Sequence, residues 1–269
     1  MQYHTYIPST DLLPFIKCYW TLEALKELKP EKQRIVPDGC IEMIFQLGDV
    51  YKQYTTEGLF TVQPRCFVFG QITQSLEIEP TGRTRIFAIR FHPDGFKPFA
   101  TLPLASMENR AVPLEELFGT EGQQLETTML ATLNLQEQIE TIESFFRNRL
   151  QTPHAIDLIA RESVSILLAL QGQLSVGALS ETVNVHRRQL ERKFADVIGL
   201  SPKQLAKMIR LQTTLKLLAD NPNTSFTTLA QEGQYYDQAH FIKDFKEFTG
   251  MTPKQFYGGN LLLSSLFIE

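Results

Sequence analysis

Two stretches in the last third of the 269-residue chain repeat each other. Residues 199–205 have the sequence GLSPKQL and residues 250–256 have the sequence GMTPKQF, at an offset of 51 residues. The same offset relates two apolar pairs upstream, Leu190 with Phe241 and Phe194 with Phe245. Such a duplication predicts two copies of one helical unit, and this constrains the fold more than any value of composition.

The first copy has the layout of a helix-turn-helix. Ser175 is a typical N-cap residue for a first helix, and Asn184 suits the turn because asparagine tolerates left-handed backbone geometry. In the helix that follows, the pattern places Leu190, Phe194 and Val197 on the inward face. The outward face carries Arg187, Arg188, Glu191 and Arg192. Guanidinium groups on one exposed helix face are suited to guanine edges and phosphates in a major groove, although a solvated helix face is the alternative.

The second copy repeats this layout with aromatic residues. Ser225 or Thr227 is expected to cap its first helix, Tyr235 to fill the turn and Asp237 to cap its second helix. A buried stripe is predicted for Phe241, Phe245 and Phe248. The predicted outward residues are Gln238, Ala239, His240, Lys243 and Lys246. For His240, a packed or capping role is an equal alternative to a phosphate contact.

A long helix is predicted over residues 202–219, between the two copies. Eighteen helical residues span roughly 27 Å, which is close to the ~34 Å between successive major grooves on one side of a duplex. A stiff connection of this length would therefore hold two exposed helices near adjacent grooves.

Residues 155–257 resemble the DNA-binding domain of the AraC/XylS family of transcription regulators. The first motif is met by Leu179, Val185, Leu190, Arg192, Phe194, Gly199, Ser201 and Pro202. The second is met by Tyr235, Asp237, Gln238, His240, Phe241, Phe245, Gly250, Thr252 and Pro253. The resemblance implies base contacts by Arg187, Arg188, Glu191 and Arg192 in the first unit, and by Gln238, Ala239 and Lys243 in the second, with His240 beside them.

The first hundred residues show the short alternations of β structure. One predicted strand places Ile41, Met43, Phe45 and Leu47 on a single face, and further strands are separated by Pro- and Gly-containing turns. Such spacing favours a sandwich or a small barrel. The family resemblance narrows this to a cupin-like barrel with flanking helices, and residues 1–118 also resemble a domain of unknown function. The aromatic residues that could hold an organic effector, or merely fill the barrel, are Tyr19, Trp20, Phe45, Phe69 and Phe91.

The chain is therefore predicted to be an α+β protein with two domains. The β-rich sensory or dimerisation domain covers residues 1–118, a helical linker region 119–154, the all-α double helix-turn-helix domain 155–257, and an apolar tail 258–269. Residues 1–154 have a net charge of −5, and residues 155–257 have a net charge of +2, which suits a polyanion at the C-terminal end. The tail is expected to dock on its own domain or to contact a second copy.

The predicted function is a cytoplasmic, sequence-specific DNA-binding transcription regulator. The family resemblance implies an activator rather than a repressor. Its expected partners are double-stranded DNA and RNA polymerase, with a small-molecule effector and a homodimer as further options, and no membrane. One alternative is a protein-interaction module. Another is a methyl-accepting repair enzyme, which would need an activated cysteine, yet Cys18, Cys40 and Cys66 are isolated in the sequence. No catalytic residue or cofactor is expected. A metal is not expected either, because His4 and His92 are the only histidines in the N-terminal half of the sequence.

Overall fold

The computed structural model describes residues 1–55, 58–150, 156–220, 224–233 and 235–256. The described residues form ten strands followed by ten α-helices, and two short 3-10 helices lie between the ninth and the tenth strand. The predicted tail 258–269 and the predicted boundary between residues 154 and 155 lie outside the described residues. None of the described helices is long and apolar enough to cross a membrane.

The strands form two antiparallel sheets. Their bounds are β1 (Gln2–Tyr6), β2 (Ile16–Ala24), β3 (Gln33–Ile35), β4 (Glu42–Gln46), β5 (Tyr51–Tyr54), β6 (Phe60–Val62), β7 (Cys66–Phe69), β8 (Leu76–Pro80), β9 (Thr84–Phe91) and β10 (Ala111–Pro113). The larger sheet has six strands in the order β1-β2-β9-β4-β7-β10, and the smaller sheet has four in the order β3-β8-β5-β6.

The prediction of a β-rich N-terminal domain with flanking helices is confirmed, but the strands form two separate sheets and not one closed barrel. Alternation along β2 and β9 explains this arrangement. Tyr19 and Phe87 point to a core shared with the helices after residue 113, whereas Trp20 and Ala88 point to the smaller sheet. Each face of the larger sheet is thus covered by a different layer, so the sheet does not need to close on itself to bury its apolar residues.

The helices follow in two groups. The bounds are α1 (Leu114–Phe118), α2 (Thr120–Ala131), α3 (Leu135–Arg149), α4 (Leu158–Ala169), α5 (Val176–Thr182), α6 (Arg187–Val197), α7 (Pro202–Asp220), α8 (Phe226–Glu232), α9 (Gln238–Thr249) and α10 (Pro253–Phe256). The first three pack on the larger sheet. Two helix-turn-helix units, α5–α6 and α8–α9, are joined by α7, and one apolar cluster runs through both of them.

The β-rich domain contacts the helical domain at four of its helices. Arg161 of α4 bonds with Asp94 and with the carbonyl oxygen of Pro14, and Lys97 Nζ lies 2.5 Å from Asp196 Oδ1 of α6. Two further hydrogen bonds join Gln212 of α7 to the Pro37 carbonyl oxygen and Arg34 to the Thr249 carbonyl oxygen of α9, at 2.8 and 2.7 Å. Both units and their connecting helix are therefore held by the same domain.

Candidate nucleic-acid interface

The turn of the first unit has the geometry that its sequence predicts. Asn184 adopts a left-handed conformation with φ of 49°. Ser175 caps α5 by accepting a hydrogen bond from the Ala178 amide at 3.1 Å, and His186 caps α6 through Nδ1, which accepts from the Arg188 amide at 3.3 Å. These caps satisfy amide groups that helices leave unpaired at their N-termini. They fix the direction in which α6 leaves the turn.

The outer face of α6 is a basic surface. Leu190, Phe194 and Val197 are buried on the inner face, while the side chains of Arg188 and Arg192 are exposed. Neither of these two arginines has an ion-pair partner within the part of the chain that the structure describes. Their guanidinium groups are therefore available to an external anion or hydrogen-bond acceptor.

A third arginine on this face has a carboxylate neighbour. Arg187 Nε lies 3.0 Å from Glu191 Oε1, one helical turn away, and the two side chains are 65% and 44% exposed. Pairs this exposed contribute little to stability, typically about 0–1 kcal/mol. Both groups can therefore exchange their mutual contact for contacts with another molecule at little energetic cost.

The second unit is built on an aspartate cap. Asp237 Oδ1 accepts from the His240 amide at 2.7 Å and starts α9, which ends at Gly250 in a left-handed conformation with φ of 71°. Ser225, and not Thr227, caps α8 by accepting from the Thr228 amide at 3.1 Å. The predicted stripe Phe241, Phe245 and Phe248 is buried, and the predicted turn residue Tyr235 packs against Phe241.

The outer face of α9 is less charged than that of α6. Gln238, Ala239 and Lys243 are exposed, and Gln238 Oε1 accepts a hydrogen bond from Thr227 Oγ1 at 3.4 Å. His240 differs from them because its Nε2 lies 3.5 Å from Asp244 Oδ2 and its ring packs edge-on against Tyr235. It lies at the margin of this face, with internal contacts of its own.

Several other basic side chains hold helices together. Lys193 pairs with Asp157, and Lys207 Nζ lies 2.9 Å from both Asp244 Oδ1 and Glu247 Oε2. Arg210 donates to the carbonyl oxygen of Gly172 at 2.8 Å. Because these partners are distant in sequence, only the tertiary structure shows that these basic side chains are paired. It thereby distinguishes them from the basic side chains on the outer faces of α6 and α9.

The two sheets and α7 enclose a second feature, which we name the inner cavity. It offers about 80 Å³ to the centres of water-sized molecules. Of the five aromatic residues considered for an effector, Trp20 and Phe69 line it, whereas Tyr19, Phe45 and Phe91 are buried in the core on the opposite face of the larger sheet. Sequence reasoning missed its polar residues Asp38, Glu42 and Arg90, because they come together only when β4 and β9 pair.

The described residues hold no group of three or more His, Cys, Asp and Glu side chains that could bind a metal ion. The cysteines are also poorly suited to nucleophilic chemistry. Burial raises the pKa of Cys40 to about 12, and it raises the pKa of Cys66 above its usual range. Both thiols are therefore protonated at neutral pH, and the thiolate is the reactive form.

Comparison with known families divides the chain in the same way as the fold. Residues 4–113 match the Domain of unknown function (DUF6597), and residues 179–258 match the family described as Helix-turn-helix domain. Over 93 residues the chain is 31% identical to an uncharacterized HTH-type transcriptional regulator of Haemophilus influenzae, covering 35% of this chain and 31% of that protein. Over 133 residues it is 29% identical to a probable thc operon regulatory protein of Rhodococcus erythropolis, covering 48% and 40%.

These matches span less than half the length of either curated relative. Among solved structures, ToxT from Vibrio cholerae aligns with 89% of this chain and 98% of its own, at 11% identity and a TM-score of 0.49. The matched helix-turn-helix family begins within α5 and extends through the second unit. Residues 179–258 of this chain thus form a helix-turn-helix domain of the AraC type.

Proposed function

We propose that this protein is a cytoplasmic, sequence-specific transcription regulator that inserts α6 and α9, its two reading helices, into adjacent major grooves of one DNA duplex. The observation that carries the proposal is that two helix-turn-helix units, each with one exposed helix face, are joined by the single helix α7. The 19 residues of α7 span about 28 Å. This length is close to the ~34 Å that separates successive major grooves on one side of B-DNA.

The side chains on each face have the chemistry of base recognition. Arg188 and Arg192 suit guanine edges, and Glu191 suits the amino group of cytosine once Arg187 turns to a phosphate. On α9, Gln238 suits adenine and Ala239 suits the methyl group of thymine. Lys243 suits a phosphate, with His240 beside it at the margin of the helix.

The β-rich domain is the proposed regulatory part. Its contacts with α4, α6, α7 and α9 give it a physical link to both reading helices. The inner cavity, walled in part by α7, is the proposed site for a small-molecule effector. Activation through RNA polymerase is proposed from the family resemblance, and a homodimer is proposed from the apolar sequence of residues 258–269.

No catalytic role is proposed. A methyl-accepting enzyme needs an activated thiolate, and burial works against one at Cys40 and Cys66. A protein-interaction module is separated from a DNA-binding regulator by salt dependence. Contacts with several phosphates release counterions, so the affinity of this protein for duplex DNA should fall steeply as the salt concentration rises.

The proposed function is tested by selecting binding sites from random duplexes with the full chain and footprinting the selected sites. We expect two protected segments on one side of the duplex, separated by about 10–10.5 base pairs. The logarithm of affinity should fall with the logarithm of salt concentration, with a slope that reflects several phosphate contacts. Recovery of no common sequence, or binding that salt does not weaken, would contradict the proposal.

A further inference from the structure

The inner cavity has the build of a small-molecule site. Its volume of about 80 Å³ is several times the ~10–15 Å³ that one water molecule needs. Most of the wall is hydrocarbon and aromatic, contributed by Trp20, Leu22, Ile44, Phe67, Ile78 and Ile86. Leu215 and Gln212 of α7 close the side that faces the helical domain. A ligand here would contact both the sheets and the helix between the reading helices.

Charge is concentrated at one end of this wall. Arg90 is almost fully buried, with its side chain 4% exposed. Its Nη2 bonds with Asp38, and its Nη1 donates to Glu42 Oε1 at 3.1 Å. One guanidinium group thus faces two carboxyl groups. When both carboxyl groups are ionised, these three side chains together carry one negative charge.

Glu42 has a carboxylate oxygen that its protein partners do not use. The indole nitrogen of Trp20 and Nη1 of Arg90 both donate to Oε1, at 3.2 and 3.1 Å. Among the described residues, Oε2 accepts no hydrogen bond. Because β4 lies between β9 and β7, the 18% of the Glu42 side chain that is accessible must face the cavity that it lines. Oε2 is therefore the natural contact for a donor on a ligand.

We propose that the inner cavity binds a small amphipathic amine, whose ammonium group donates to Glu42 Oε2 and whose hydrocarbon part packs between Trp20 and Leu215. A cation balances the negative charge that Asp38 and ionised Glu42 leave beside Arg90, whereas a carboxylate would be repelled by both of these groups. A buried charge is stable only when it is paired and hydrogen-bonded. The cavity thereby selects by charge as well as by shape.

An open cleft between the β-rich domain and α7 supplies a route. Four residues line both the cleft and the inner cavity, namely Asp38, Cys40, Arg90 and Gln212. Lys17 and Lys216 line the cleft but not the inner cavity. These lysines can attract an anionic compound to the cleft. The test must therefore distinguish binding in the cleft from binding in the inner cavity.

Binding is measured with the full chain and without DNA. Trp20 is the only tryptophan of the sequence and lines the cavity, so its fluorescence reports occupancy. The probes are 2-phenylethylamine, 2-phenylethanol and 3-phenylpropanoate, which share a phenyl group and differ in charge. We expect the amine to bind at least about tenfold more tightly than either of the other two probes. This is the difference in affinity that one hydrogen bond to a charged group provides.

Two variants locate the site. Glu42→Gln should remove the preference for the amine, whereas Glu23→Gln, which neutralises a half-exposed carboxylate on β2, should keep it. Leu215→Phe should weaken the binding of the amine, because the larger side chain extends from α7 into the cavity. Equal or tighter binding of 3-phenylpropanoate, no saturable change with the amine, or a preference that survives Glu42→Gln would overturn the proposal. If Glu42→Gln fails to fold, the order of the three probes and the Leu215→Phe result decide.

The binding step does not depend on DNA recognition, but its regulatory effect rests on the proposed function. We expect saturating 2-phenylethylamine to change the affinity of the wild-type chain for its selected duplex, and to leave that of Leu215→Phe unchanged. A chain that binds the amine but selects no duplex would contradict the proposed function alone. A chain that selects a duplex but shows no preference for the amine would contradict this inference alone.

Discussion

Gln212, in the middle of α7, donates a hydrogen bond from Nε2 to the carbonyl oxygen of Pro37 at 2.8 Å. Gly39 lies two residues after Pro37, and its backbone approaches the same helix. A Cβ atom added to Gly39 would lie 2.6 Å from Leu205 Cδ1. The turn between them also supplies Asp38 to the inner cavity. The helix that connects the two reading helices is thus attached to the turn that carries one of the cavity's charged residues.

The contact between this turn and α7 predicts a measurable difference between two glycine substitutions. Gly39 and Gly58 both have φ of 80°, but an added Cβ at Gly58 meets nothing within 4 Å. Each change to alanine carries the backbone penalty of a left-handed residue, about 1–2 kcal/mol. Gly39→Ala must also displace Leu205, so we expect its free energy of unfolding to fall by about 1 kcal/mol more. Equal losses in urea unfolding would show that Leu205 moves without resistance.

The basic face of α6 predicts the effect of a double substitution. Arg188→Ala with Arg192→Ala should weaken binding to the selected duplex by about 2–6 kcal/mol, at least about 30-fold, because each arginine is assigned a base contact. The circular dichroism spectrum should not change, since both side chains are exposed. Arg83→Ala, which removes an exposed arginine from the β-rich domain, is the matched control. An unchanged footprint in the double variant would refute the assignment of α6.

The second reading helix predicts a more local result. Gln238→Ala with Lys243→Ala should remove protection over one half of the footprint and preserve the other half, because the two side chains lie on α9 alone. Footprinting at a protein concentration that saturates the wild-type site measures this directly. Loss of both halves together would instead mean that the units bind only as a pair.

The cap of α9 predicts a change in stability. Asp237→Ala removes the acceptor for the His240 amide and should lower the free energy of unfolding by about 1 kcal/mol. Amide exchange at His240 should become faster as the first turn of α9 frays. Asp237→Asn keeps a capping oxygen and should retain most of the protection. Identical exchange in the two variants would argue against the cap.

Glu42 predicts a dependence of stability on pH. Burial raises the pKa of Glu42 from its ordinary value of 4.5 to about 7. Between these values the folded chain binds more protons than the unfolded chain, so the stability that this group contributes is full below about 4.5 and is lost as the pH rises through 7. Relative to Glu42→Gln, the wild-type free energy of unfolding should fall by about 3 kcal/mol over this window. Parallel pH profiles would contradict it.

Local sequence signals predicted the structure of the two helix-turn-helix units well. Capping by Ser175 and Asp237, the left-handed Asn184 and the buried stripe at Phe241 all depend on residues within one or two helical turns of each other. Such short-range chemistry is visible in a sequence, and the internal repeat lets the two units be checked against each other.

Contacts between distant residues were beyond prediction. Arg90 meets Asp38 across 52 positions, and Arg34 meets Thr249 across 215. The two separate sheets differ from the cupin-like barrel that the family resemblance implied, for a related reason. Alternation in β2 shows that both faces of the strand are covered, but it does not show that helices cover one face and a second sheet the other.

The attachment of the β-rich domain to both units affects how many base pairs can separate the two half-sites, which are the DNA segments proposed to bind α6 and α9. Lys97 holds α6 at Asp196, and Arg34 holds the end of α9 at Thr249, so neither unit can swivel without parting a contact. An extra base pair between half-sites turns one of them by about 35° around the duplex axis. If these contacts persist on DNA, the duplex would have to untwist to restore the fit. Spacer sequences that twist easily would then be favoured, although no side chain touches them.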